Sequence, residues 1–395
     1  MESKHNLEIS NPPCRMTRRV TSHYTWIEIS KNAINHNINQ YKKIIGNKIL
    51  APVIKANAYG HGLVEFAQVC QTNKNVGFLC TATLSEALTL RKHNITKPIL
   101  VLSYIDSEIR EIANQNISVI TYDIDTIKKL DSIGKHSGKP CNVHIKIDTG
   151  LSRLGITPDK AIDFIKHVKT YKHVNIQGIW THFAEAQSPD KSFTNQQAHA
   201  FTKLIKNLKN IGIQIPLIHA SNTSSVSTLD LKYTNFCRIG VGLYGCIPSH
   251  YISEKTKTEN PSFNLKPILT WKTKIFYIKE IPKDSFIGYD RTHQVKRDSK
   301  IAVLPVGFFE GYDRRFSNKG HVFIKGKLAP IVGVVCMNVF MVDVTDIKNV
   351  KINSEVILIG NISGVRLDDL ANIANLNPRE ISTRLNQNIP RIILD

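Results

Sequence analysis

The segment APVIKANAYGHG, residues 51–62, sets a lysine at the end of an apolar run. Ile49, Leu50, Val53 and Ile54 read as a buried strand, because β-branched residues favour a pleated, packed setting and a short apolar run bounded by Asn and Gly fits a strand covered on both faces. Lysine is rarely buried without a use. Lys55 is therefore expected to carry an amine from the C-terminal end of that strand into a pocket, with Gly60 and Gly62 allowing backbone to approach a ligand closely. Similar residues follow other apolar runs: Lys146, Asp148 and Arg153 in KIDTGLSRLG, His182 in GIWTHF, His219, Asn222 and Thr223 in HASNTSS, and Arg238 and Gly240 in FCRIGVG. Tyr59 stands close behind Lys55. Two lysines, two arginines and several hydroxyl and amide donors without a carboxylate cluster suit an anionic ligand, such as a phosphate together with a carboxylate. They do not suit a hard metal ion, which takes oxygen ligands. Singly, each has an ordinary reading: an arginine in a surface salt bridge, a histidine hydrogen-bonded in a core, a glycine in a turn. Convergence on one face is what would make them a site.

The elements that would bring them together alternate. Between about residues 25 and 245, short apolar runs are separated by amphipathic stretches. Eight runs read as strands: ILAPVIKA, VGFLCTA, PILVLS, ISVITY, CNVHIKID, NIQGIWTHF, PLIHAS and FCRIGVGLYG. Segments such as LSEALTLRKHN and TPDKAIDFIKHVKTY read as helices, the second with Thr157 as N-cap and Pro158 in its first turn. Eight β/α units over this length are the pattern of a (β/α)8 TIM barrel, in which functional residues sit at the C-terminal ends of the strands. A doubly wound sheet is the alternative, but it would concentrate function in one crevice rather than on nearly every strand. After about residue 255 the strand-like runs follow one another with little helix between them, apart from RLDDLANIANL. The expected organisation is a polar tail over 1–24, an α/β barrel domain over 25–255 and a mostly-β domain over 256–395, with the polar stretch 249–263 as linker.

Bulk composition bounds the rest. A chain of 395 residues with 42% hydrophobic residues is long enough for two ordinary cores. No apolar run approaches the roughly 20 residues of a membrane helix, and the N-terminus lacks the apolar stretch of a secretory signal. The formal charge of +20 raises nucleic acid as a partner, but the lysines are spread along the chain without a dense basic block or interleaved aromatics, so a solvated basic surface is expected. Seven scattered cysteines with no CxxC pair argue against a disulfide framework or a zinc site and for a cytoplasmic setting.

The motif set resembles the alanine racemase family, whose members depend on pyridoxal 5′-phosphate (PLP). APVIKANAYGHG is similar to the family's cofactor-lysine motif and HIKIDTGLSRLG to its fifth-strand motif. GIWTHF, HASNTSS, FCRIGVGLYG, IGYDRTH, LPVGF, PIVGVVCMN and NIPR follow in the family's order over about residues 25–391. The resemblance implies a PLP-binding barrel, a β-domain and a head-to-tail homodimer acting on a small amino acid. It implies that Lys55 holds PLP as a Schiff base and that Tyr289 reaches the site from the partner subunit as the second base. By the same carry-over Arg238 meets the pyridine nitrogen with His182 supporting it, and Tyr59, Asn222, Thr223, Gly240 and Val241 serve the cofactor. Arg153 and the backbone of the partner subunit's Met337 would meet the substrate carboxylate, and Lys146 matches a lysine that some members carry as a carbamate. The implied activity is interconversion of L- and D-alanine for cell-wall precursors. The alternatives are a racemase of serine or of several amino acids, a PLP-binding regulatory protein and a decarboxylase of the same two-domain plan.

Three positions depart from the family's pattern. Phe308 stands where a tyrosine is common, Asn338 where an aspartate commonly follows the methionine, and Arg379 where many members have a tyrosine at the cofactor phosphate. These bear on substrate range more than on reaction type.

Overall fold

The computed structural model describes residues 23–229 and 231–395. The polar tail expected over 1–24 lies outside them except for its last two residues, as does Cys14. The first strand, β1 (Thr25–Ser30), is followed by eight parallel strands that fall inside the eight apolar runs to within a residue: β2 (Ile49–Pro52), β3 (Leu79–Thr83), β4 (Ile99–Tyr104), β5 (Ile117–Thr121), β6 (Cys141–Lys146), β7 (Val174–Trp180), β8 (Leu217–His219) and β9 (Phe236–Ile239). Strands β3 to β8 pair in sequence order, and β2 pairs with β9. The ring closes through parallel bridges at Leu50–Val76 and Val53–Cys80 on one side of β2, and through the Asn235 N–H on the Ile218 carbonyl (3.1 Å) between β8 and β9. The architecture is the TIM barrel expected from the pattern.

Local sequence explains the helices around it. Asp123 caps the helix Ile124–Ser137 by accepting from the Thr126 N–H (2.7 Å), and the helix ends at Gly138 in the left-handed conformation. Thr157 and Pro158 begin the helix Pro158–Val168, although the threonine side chain makes no cap bond to its backbone. Leu50, Ile54, Val143, Ile145 and Ile179 are buried between the strands and these helices, each contributing about 1.5–3 kcal/mol relative to exposure, while Ala51, Val53, Leu100, Ile120 and Phe236 pack together within the ring.

Two expectations meet a difference. The barrel does not begin at residue 25. β1 pairs antiparallel with β10 (Leu269–Lys274) and parallel with the strand Arg391–Leu394, so it belongs to the nine-stranded sheet of the second domain. Trp26, Ile27 and Ile29 are buried there, and Glu28 meets Lys272 at 3.0 Å. From Thr25 onward the chain thus contributes a strand to one domain, builds the other and returns. The linker stretch 249–263 holds a helix that its polar composition did not suggest. Ser249 caps a helix at His250–Glu259, which buries Ile252 and Thr256 one turn apart; its polar composition hid this sparse periodicity. The second domain is mostly antiparallel sheet, as expected. Its helix Leu367–Ala374 lies in RLDDLANIANL, and a short helix, Pro378–Thr383, follows it. Among the described residues no helix is long and apolar enough to cross a membrane.

Candidate active site

Lys55 does not end the strand itself. β2 stops at Pro52, and Lys55 opens a single turn whose next four residues, Ala56, Asn57, Ala58 and Tyr59, all have φ between 51° and 54°. Consecutive left-handed residues other than glycine cost roughly 1–2 kcal/mol each, so such a turn persists only where its surroundings hold it. The Ala58 N–H reaches the Ile54 carbonyl (2.8 Å), the Gly62 N–H the Asn57 carbonyl (3.0 Å), and the Leu63 N–H the Asn57 side chain (2.8 Å). Glu86 accepts from the Ala56 N–H (2.7 Å) and the Ala82 N–H (2.8 Å), pinning the turn to β3. At Gly60 a β-carbon would fall 1.7 Å from the Ser382 carbonyl oxygen, so only glycine admits the second domain's short helix here. Arg391 completes the clamp: its Nη2 donates to the Gly60 carbonyl (3.0 Å) and its Nη1 to the carbonyls of Asn386, Gln387 and Ile389. Replacing Glu86 with glutamine leaves one of two backbone N–H groups without an acceptor. The Glu86→Gln protein is expected to lose about 1–3 kcal/mol of stability, read by urea unfolding, and an unchanged midpoint would show the clamp to be dispensable.

The turn sets the Lys55 amine in a cavity of about 590 Å³ at the C-terminal ends of the strands. The amine is reachable from the open side, while protein crowds it on the others. Desolvation, followed by the charge of Arg153, lowers its pKa against the pull of Glu86. Tyr59, Arg153, His182, Asn222, Thr223, Arg238, Gly240, Val241 and Arg379 also line this cavity, so the structure brings together these predicted residues. Among the described lining residues there is no aspartate or glutamate.

Arg238 forms the floor and is 2% exposed. Its guanidinium donates to His219 Nδ1, to the Thr181 carbonyl (3.0 Å) and, more distantly, towards His182 Nδ1 (3.4 Å). His219 therefore makes the closer support than His182. Burial brings the arginine down to about 10, which leaves it charged near neutral pH. The Trp180 ring lies against His219 in a stack (5.6 Å between centroids, 3° between planes) and receives both Arg238 (4.5 Å) and Lys146 Nζ (3.9 Å). Burial, then Arg238 and Arg153, push the Lys146 ammonium down to about 7, and its Nζ has no hydrogen-bond partner among the described residues. The Gly240 N–H donates to Thr223 Oγ1 (3.1 Å), and Asn222 Oδ1 accepts from the Ser224 and Ser225 N–H groups (3.0 and 2.9 Å), shaping the loop that follows β8. Asp148 does the same for the loop bearing Arg153, accepting from Gly150 and Ser152 (3.0 and 3.1 Å).

Tyr289 and Met337 are not in this cavity. Both lie on the surface of the second domain, 70% and 57% exposed, with Phe286, Phe308 and Phe309 also exposed. The Phe308 and Phe309 N–H groups bond to the carbonyls of Cys336 and Met337 (3.0 and 2.9 Å), so the two loops travel together. Asn338 donates to Glu310 Oε1 (2.9 Å), a bond that an aspartate could not donate. Arg379, at the start of the helix Pro378–Thr383, is oriented by the cap residue Asn377, which accepts from its Nε (2.9 Å).

Sequence reasoning missed Glu86 and Arg391 as residues that hold the site, and Trp180 as its wall. NIPR is read above only as a motif, without a role for its arginine; an arginine set between Ile389 and the apolar run Ile392–Leu394 was the available signal. The left-handed turn had none, because KANAY contains no glycine.

Comparison with known proteins now adds to this geometry. The description "Alanine racemase, N-terminal domain" matches residues 29–248, and "Alanine racemase, C-terminal domain" matches 268–393. The chain belongs to the alanine racemase family. It is an enzyme of that PLP-dependent racemase class, with the family's barrel followed by its sheet-rich domain. It is 36% identical to alanine racemase 2 of Caldanaerobacter subterraneus subsp. tengcongensis over 94% of this chain and 95% of the relative. It is 38% identical to alanine racemase of Clostridium perfringens over 93% of this chain and 94% of that one. The solved alanine racemase of Clostridium difficile superposes with a TM-score of 0.88 at 29% identity, covering 95% and 96% of the two chains.

Proposed function

We propose that the protein is an alanine racemase that interconverts L- and D-alanine with PLP held by Lys55. The observation that carries this reading is a lysine amine of lowered pKa, set by a clamped turn into a cavity whose floor is an arginine and whose lining holds no carboxylate. That donor set fits PLP: an amine for its aldehyde, donor-only Arg238 for its ring nitrogen, and Tyr59, Asn222, Thr223, Gly240 and Val241 grouped for its phosphate. When bound, PLP supplies the electron sink that makes the α-proton of an amino acid removable.

The chain's residues do the rest. Lys55 takes or returns the α-proton on one face of the substrate, and its depressed pKa raises the fraction of free amine near neutral pH. Tyr289 of the partner subunit does so on the opposite face. Its exposure, beside Phe286, Phe308, Phe309 and Met337, supports a head-to-tail homodimer that covers this apolar patch and places the phenol over the neighbour's cavity. Arg153 and, across the dimer, the backbone of the partner subunit's Met337 hold the substrate carboxylate. Free thiols at Cys70, Cys80, Cys141, Cys237, Cys246 and Cys336 suit a cytoplasmic enzyme supplying D-alanine for wall precursors.

Arg379 adds a cation at the phosphate end. The Arg379→Ala variant is expected to bind PLP about tenfold more weakly, since a charge-assisted hydrogen bond contributes about 1.5–3 kcal/mol and exposure reduces it. Equilibrium dialysis reads the effect, and unchanged affinity would show that Arg379 points elsewhere. Arg379 and Asn338 also favour a second reading, a racemase of serine or of several amino acids. Incubation of the PLP-loaded protein with L-alanine, followed by chiral chromatography, tests the first: an approach to equal L and D forms is expected. Loaded protein that leaves L-alanine unchanged while converting L-serine would favour the second.

A further inference from the structure

Behind Arg238 runs a chain of polar groups that the proposed reaction does not touch. His219 Nε2 lies 2.7 Å from His144 Nδ1, His144 Nε2 lies 3.1 Å from Gln177 Oε1, and that same oxygen accepts from Ser118 Oγ at 2.6 Å. His144 and His219 are both 0% exposed. Phe236 packs on both rings, at 6.3 and 4.7 Å, and Trp180 stacks on His219, so apolar rings sheathe the chain. Room for it is built in at Gly178, where a β-carbon would fall 2.3 Å from His144 Nδ1.

One end fixes the direction of the whole chain. A guanidinium has donors and no acceptor, so His219 Nδ1 must present its lone pair to Arg238. A neutral His219 then carries its proton on Nε2 and donates to His144 Nδ1. His144 in turn carries its proton on Nε2 and must find an acceptor. The Gln177 carbonyl oxygen is that acceptor, and the opposite amide orientation would set its N–H2 donor against the His144 Nε2–H. Both rings are kept neutral by burial first and by the Arg238 charge. Any change that puts a proton on His219 Nδ1 would push against Arg238.

We propose that Arg238–His219–His144–Gln177 is a one-way hydrogen-bond relay, and that His144 and Gln177 are positioning residues which hold Arg238 as a donor at the cavity floor. The relay itself is independent of the reaction assigned above; its effect on turnover rests on that reading.

The test uses the PLP-loaded wild-type protein with 15N-labelled histidine, together with the Gln177→Glu variant. A carboxylate at position 177 draws a second proton onto His144, which then donates from Nδ1 and reverses His219. Long-range 15N–1H spectra at neutral pH are expected to show His144 and His219 of the wild type as neutral Nε2–H rings. The Gln177→Glu variant is expected to show a charged or reversed ring, a shifted absorption band of bound PLP and a fall of about tenfold or more in kcat/KM, the usual scale for groups supporting a site from behind. A wild-type Nδ1–H or charged ring at either histidine would overturn the proposal, whether or not the variant folds. So would a folded variant with unchanged spectra and rate. The ring assignments need no turnover, so a failed racemase assay and a failed relay are separate results.

Discussion

The Lys55→Ala protein is expected to lose both lasting retention of PLP and at least about 10³-fold of its turnover. The loss comes from two roles of one amine: it carries the cofactor's covalent attachment and one of the two proton transfers, and a single acid–base group alone contributes about 10²–10⁴-fold. The fold should survive. The side chain reaches into an open cavity, and the turn is held by the Glu86 and Arg391 contacts to its backbone rather than by Lys55 itself. Lys55→Arg should fare no better, because a guanidinium neither attaches to an aldehyde nor gives up its proton near neutral pH. Absorbance after desalting reads the attachment, and chiral chromatography reads turnover. Activity within tenfold of the wild type in either variant would remove Lys55 from the centre of this account.

Replacing the Tyr289 phenol gives the second large effect. Tyr289→Phe is expected to lower racemisation by about 10²–10⁴-fold while leaving protomer stability nearly unchanged, since the side chain is exposed. Its loop explains how it stays outward: Gly288, Asp290 and Arg291 all have positive φ, turning the chain sharply on either side of the tyrosine. The loss should also be one-sided. The proposed two-base reading puts Lys55 on the D-face and Tyr289 on the L-face, so the variant should still exchange the α-hydrogen of D-alanine with solvent while producing little L-alanine. Mixing Lys55→Ala and Tyr289→Phe protomers should restore about a quarter of the wild-type sites, because half the dimers are hybrids and each hybrid has one intact site. No recovery after exchange of subunits would place the phenol in its own protomer's site or outside the chemistry.

How far the sequence spoke depended on how local each constraint was. The barrel strands were legible because each is buried on both faces and so reads as a continuous apolar run, and Lys146, His182, His219 and Arg238 could be placed at strand ends by counting along those runs. Residues 25–30 fell inside the expected barrel domain only because its boundary was set at 25, without TWIEIS being read as one of the eight strands; only the pairing of β1 with β10 and Arg391–Leu394, more than two hundred residues away, assigns it to the other domain. The helix His250–Glu259 was obscured because only Ile252 and Thr256 of its face are buried. Lys55 was singled out and lines the cavity, but the backbone that presents it was not foreseen. A left-handed turn in KANAY contradicts local preference and is held from outside by Glu86, Ser382 and Arg391. The roles of Arg153, Tyr289 and Met337 came from resemblance; no spacing argument assigns a role to Arg153, and none links Tyr289 and Met337 to a cavity from which the fold leaves them apart.

The measurement that bears most directly on the two-base account is the isotopic content of the first product. PLP-loaded protein is given L-alanine carrying ordinary hydrogen at Cα, in D₂O, and the D-alanine formed in the earliest few per cent of conversion is isolated and analysed by mass spectrometry. Two bases on opposite faces require that the product's α-position be filled from the solvent-exchanged second group, so this D-alanine should be almost fully deuterated. D-alanine that retains the substrate's own hydrogen would mean that one group removes and returns the same proton, and Tyr289 would then have no place in the reaction.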